Sequence, residues 1–145
     1  MPEKIYNNKG LSYALFLKDL LNLKTTPEFD KMPSIQDQIT LDWINSNEFF
    51  QEMVGDINTG IEESTKQFDI EIKDIYIKDA YVSDVGDLEE FVITVIVTKG
   101  VSINKINEFW DYITRKATKL IDMNQENDLC GEFEEKLLIV VEEED

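Results

Sequence analysis

Two runs of alternating apolar residues joined by a short acidic turn are the feature that most restricts how this chain folds. Residues 74–82 and 91–98 are dense in Ile, Val, Tyr, Phe and Thr, side chains that suit a pleated, half-buried surface. Between them, residues 83–87 supply Ser, Asp and Gly, and glycine admits backbone angles closed to other residues. This pattern predicts an antiparallel hairpin. Its alternation changes phase between Ile72 and Ile75, which predicts a β-bulge if both are to face the core.

Helical periodicity flanks the hairpin. Asn47 is a candidate N-cap, followed by Phe49, Phe50, Met53, Val54, Ile57 and Ile61 at spacings of three and four. Gly55 and Gly60 are weak points there, each costing about 1 kcal/mol relative to alanine. Beyond the hairpin, Ser102 caps a second helix whose apolar face comprises Ile106, Phe109, Trp110, Ile113, Ala117, Leu120 and Ile121. Residues 11–23 predict an N-terminal helix carrying Tyr13, Phe16, Leu17, Leu20 and Leu21, and Pro27 and Pro33 mark 24–35 as a connection. Residues 134–141 read as a final strand. In residues 36–44, Ile39, Leu41 and Trp43 alternate with polar residues, which favours a strand, with a helix starting at Thr40 as the competitor.

After the N-terminal helix, this order is β-α-β-β-α-β. The expected fold is therefore α+β and ferredoxin-like, with two helices on a four-stranded antiparallel sheet ordered 4-1-3-2. Residues 1–35 would form the additional helix and its connection, packed on the main domain or on a partner, and 36–145 a compact sandwich. A helical 36–44 would instead leave three strands flanked by several helices. Leu138 and Val140 alternate with Leu137, Ile139 and Val141, so the last strand is apolar on both faces and needs cover. The N-terminal helix, through Tyr13, Phe16 and Leu20, is the first candidate cover, and a homodimer the second.

The chemistry open to the chain is narrow. It has no histidine, which removes imidazole acid–base relays, Ser-His-Asp and Cys-His nucleophiles and histidine metal ligands. Its one cysteine, Cys130, precludes an internal disulfide and any cysteine zinc cluster. No glycine-rich phosphate loop occurs, and no run reaches the roughly 18 apolar residues of a membrane helix. The first ten residues lack the apolar core of a secretory signal, which leads us to expect a cytoplasmic protein that contacts no membrane. Catalytic residues, metal ligands and cofactors are accordingly expected to be none.

The formal charge is −17, with most of the acidic excess after residue 50. Such a field repels nucleic acid and favours a basic protein partner. The candidate acidic interaction surface comprises Asp84, Asp87, Glu89 and Glu90 around the hairpin turn, Glu132, Glu134 and Glu135 before the last strand, and Glu142, Glu143, Glu144 and Asp145 after it. The turn acids lack the ordered ligand pattern of a calcium loop and read as a solvated face. A noncatalytic acidic interaction module, homo-oligomeric or bound to a basic protein, is the expected function. The alternatives are a small carboxylate- or metal-dependent hydrolase and a DNA mimic that inhibits a nucleic-acid-binding protein.

Overall fold

Residues 32–145 are described by the computed structural model, and the expected helix at 11–23 lies outside the described residues. The elements run β1 (Ser34–Ile35), α1 (Gln38–Asn45), α2 (Glu48–Phe68), β2 (Ile72–Val82), β3 (Leu88–Val97), α3 (Ile103–Met123), α4 (Cys130–Lys136) and β4 (Leu137–Glu143). Pro33–Asp145 form one compact unit.

Local chemistry explains most of these boundaries. Asn47 accepts from the Phe49 amide at 2.8 Å and opens α2, and Ser102 accepts from the Lys105 amide and opens α3. Neither glycine interrupts α2. It stops where Asp69 turns left-handed at φ 52°, a conformation a short polar side chain tolerates better than a branched one.

Two expectations about local structure change. Residues 38–45 are helical, because the Asp37 carboxylate accepts from both the amide and the hydroxyl of Thr40 at 2.8 Å and so closes the first turn. The alternation of Ile39, Leu41 and Trp43 is incidental, and the buried pair is Thr40 and Ile44, one helical turn apart. Residues 130–136, whose end was expected to begin the last strand, form α4. It buries Cys130 and Phe133 at a spacing of three.

The described fold is α+β, with four helices and a four-stranded mixed sheet. The sheet is not all antiparallel and does not follow the 4-1-3-2 order. Its order is β1-β2-β3-β4, with β1 parallel to β2, β2 antiparallel to β3, and β3 parallel to β4. Helices α1 and α2 make the first parallel crossover and α3 and α4 the second, as parallel neighbours require long connections. The bulge expected between Ile72 and Ile75 is present as a register shift between Ile72 and Asp74.

One sheet face carries Ile77, Phe91, Ile93, Val95 and Val97, all fully buried, and packs beneath the helices, with the Phe91 ring against Trp43 of α1 and Phe133 of α4. The opposite face carries Val92 and Thr94, buried, with Leu138 and Val140 beside them in register. Leu138 is exposed and Val140 half-buried. Strand β4 ends the sheet order, as expected of an edge. Trp110 does not lie in the core with the rest of its helix face. It is 41% exposed, and its indole N–H donates to the Ile139 carbonyl at 2.8 Å, capping a backbone acceptor on the edge strand.

Candidate functional site

Strand direction determines which acidic residues meet. Strand β2 runs toward the hairpin turn, and parallel β4 starts where β3 leaves it, Leu137 lying opposite Phe91. Helix α4, directly before Leu137, therefore stands beside the base of the hairpin. The structure thus brings Glu132, Glu134 and Glu135 to the same end of the sheet as Asp84, Asp87, Glu89 and Glu90. It carries Glu142, Glu143, Glu144 and Asp145 to the opposite end, where Glu142 and Glu143 pair with Ile96 and Val97. The expected single acidic surface is two separate ones.

The hairpin end is built on an aromatic base. Trp43 stacks on Phe50 with ring centroids 3.9 Å apart, and Phe133 packs against Trp43, Phe50 and Phe91 at 6.0–6.3 Å. Offset and edge-on ring pairs at these separations add about 0.5–1.5 kcal/mol each beyond their burial. Polar contacts lock the same residues. The Trp43 indole N–H donates to Glu132 at 3.0 Å, while the Lys136 ammonium donates to the Leu88 carbonyl at 2.6 Å and lies 5.8 Å from the Trp43 ring centre. Lys136 is thereby turned onto the hairpin's first β3 residue.

The turn itself is firmly tied. The Gly86 amide donates to the Ser83 carbonyl, the Ser83 amide to the Asp87 carbonyl, and the Asp87 amide to the Ser83 hydroxyl, at 2.9, 2.9 and 3.1 Å. Gly86 has φ 90°, a region where a side chain would be strained. This turn presents Val85 at 83% exposure, with Tyr81 at 56% and Val82 also exposed behind it. Asp84, Asp87, Glu89, Glu132, Glu134 and Glu135 are exposed at this end of the sheet, and Glu90 is half-buried.

At the opposite end two of the carboxylates are used internally. The Gly100 amide donates to Glu143 at 2.6 Å and the Lys99 amide to Glu144 at 3.2 Å, while the Glu144 amide donates to the Val97 carbonyl at 2.8 Å. Gly100 has φ 91°. These two glutamates fasten the turn between β3 and α3. Lys66, Lys73, Lys99 and Lys105 also belong to that end, through the last turn of α2, the start of β2 and the entry to α3.

Cys130 is buried and its thiol lies 3.3 Å from the Ile121 carbonyl. Burial pushes the thiol pKa up, and the Glu134 and Asp122 carboxylates push it further, the opposite of what activates a nucleophile. Among the described residues, no three His, Cys, Asp or Glu side chains are grouped so as to hold a metal ion. No helix among them is long and apolar enough to cross a membrane.

No family model, curated protein or solved structure matches this chain. The site is therefore defined by its own geometry.

Reading the sequence alone missed α4, the Trp43–Glu132 contact and the inward turn of Lys136. One local signal was present: Phe133, three residues after Cys130 and set among charged residues, has the spacing of a short amphipathic turn rather than of a strand.

Proposed function

We propose that this chain is a noncatalytic protein-interaction module whose hairpin end binds a basic protein surface bearing an apolar centre. The observation that carries this reading is that two sequence-distant acidic groups, 84–90 and 132–135, share the end of the sheet at which Tyr81, Val82 and Val85 are exposed. Interfaces are organised in this way, with an apolar centre inside a polar rim. Rim charges speed encounter with an oppositely charged partner and reject like-charged ones. The tied turn and its aromatic base hold the patch in one shape, which lowers the ordering cost of binding.

The test is affinity capture from lysate of the native source at about 0.1 M and about 0.5 M salt, comparing the native chain with Tyr81→Ser/Val85→Ser and with Glu132→Gln/Glu134→Gln/Glu135→Gln. A partner lost with the first variant, and made weaker and less salt-sensitive by the second, supports the reading. A stoichiometric partner indifferent to both variants overturns it. Displacement of the partner by added DNA would move the conclusion to phosphate mimicry, since a mimic occupies the cleft that DNA would fill.

A further inference from the structure

The four described helices lie on the Phe91 side of the sheet. Helices α1 and α4 touch Phe91 itself, α2 joins them through Phe50 on Trp43 and Phe133, and α3 joins α2 through Phe109 on Phe68. The second side is built from the alternate register positions, since paired residues share a face. There Thr94 pairs with Tyr76 and Val140, Val92 pairs with Leu138, and Ile96 pairs with Asp74 and Glu142. The middle of this face is therefore apolar and one end of it acidic. Val92 and Thr94 are buried on the central strand, Tyr76, Ile96 and Val140 are half-buried, and Leu138 is 39% exposed. Asp74 and Glu142 are exposed.

We infer that residues 11–23 dock as a helix on this second face, with Tyr13, Phe16 and Leu20 directed at Leu138 and Val140. Charge selects this occupant. Residues 1–32 hold five lysines against four acidic residues, so the acidic excess of the chain lies wholly in 33–145. The field of the rest of the molecule does not repel such a segment, and its Lys18 and Lys24 have Asp74 and Glu142 to meet. A second copy would set −17 against −17, whereas a covalently attached segment docks within one molecule at high effective concentration.

Reach permits the same occupant. The segment leads through Pro33 into β1, whose Ser34 belongs to this face through its pairing with Tyr76. Residues 24–33 can extend to roughly 33 Å, while four strands are only about 14 Å from first to last. The predicted helix, about 20 Å long, can thus cross the sheet from β1 to β4. The sequence pattern gives it a reason to do so: Tyr13, Phe16, Leu17, Leu20 and Leu21 recur at helical spacing, and most helical stability comes from packing such an apolar stripe. The sheet gains as well. Two of its three strand pairs are parallel, and parallel strands are ordinarily covered on both faces. The contact draws on neither Val85 nor α4, so it stands or falls separately from the binding of a basic protein.

Nuclear Overhauser spectroscopy of the full chain, methyl-labelled at Leu, Val and Ile, tests the inference. The methyls of Leu138 and Val140 are expected to contact Tyr13, Phe16 or Leu20, and mixing labelled with unlabelled chain separates contacts within a molecule from contacts between molecules. Phe16→Ser/Leu20→Ser is expected to remain folded by circular dichroism, to shift the Leu138 and Val140 resonances, and to lower the folded-to-unfolded ratio by about tenfold or more, as loss of a buried apolar side chain does. Absence of contacts to residues 11–23, or contacts found only between molecules, overturns the inference. So does a double variant whose folded-to-unfolded ratio changes by no more than about twofold, the effect expected of side chains left in solvent.

Discussion

The two ends of the sheet carry the same kind of residue in different roles. At the hairpin end, of the seven candidate carboxylates on 84–90 and α4, Glu132 bonds to the Trp43 indole, and the group shares its end of the sheet with exposed apolar side chains. At the other end, Glu143 and Glu144 take the amides of Gly100 and Lys99 and belong to the architecture of a turn. Acidity is thus a poor guide to function until the acceptor's partners are known: a carboxylate bound to backbone amides is part of the fold, and one exposed beside apolar side chains is the kind that the proposed interaction would use.

Three experiments would break or sharpen this contrast. The largest effect is expected from Phe133→Ala, which removes the ring joining α4 to the hairpin base. Loss of about 3–5 kcal/mol in denaturant unfolding is expected, because the fully buried ring touches Trp43, Phe50 and Phe91. A loss under about 1 kcal/mol would mean that this end is not anchored as described. A smaller effect separates the carboxylates themselves. Glu143→Ala/Glu144→Ala should cost about 1 kcal/mol through the lost amide partners, whereas Asp84→Ala/Asp87→Ala should leave stability within about 0.5 kcal/mol. Equal losses for the two pairs, measured by the same unfolding curves, would erase the distinction.

The smallest effect concerns pH. The thiol of Cys130 is raised above its ordinary value of 9.0 by burial and by Glu134 and Asp122, so above that pH the unfolded chain ionises while the folded one still holds its proton. The unfolded state then binds fewer protons, and stability falls with rising pH. No contribution from this group is expected at neutral pH. The native chain should lose stability above about pH 9 more steeply than Cys130→Ala. Parallel pH profiles would show that the thiol does not contribute.

Features governed by nearest neighbours were legible before the structure. The hairpin, its bulge near Ile72, and the caps at Asn47 and Ser102 each follow from side chains a few residues apart. Residues 38–45 were not, because over eight residues a period of two and a period of 3.6 both fit Ile39, Leu41 and Trp43, and the Asp37–Thr40 contact decided the matter. Strand order was less legible still. Nothing in 137–143 states that the strand lies parallel to β3, and that single fact decides that the acids of α4, and not those of 142–145, share the hairpin end. The candidate site was therefore visible as composition and invisible as a place. Tyr81 and Val82 went unremarked as surface residues because they share the hairpin's alternation, and exposure depends on how far the arm extends past its neighbours.

The β3–β4 pairing also sets an order of events in time. The β2–β3 hairpin closes across one short turn, an event of about 1–10 μs, whereas β4 reaches β3 only after the whole α3–α4 crossover has been traversed and its loop-closure entropy met. During that interval the apolar strand β3 has an unfilled side. A nascent chain is then most prone to pair with a neighbour rather than with itself, and the speed at which α3 and α4 form sets how long that exposure lasts.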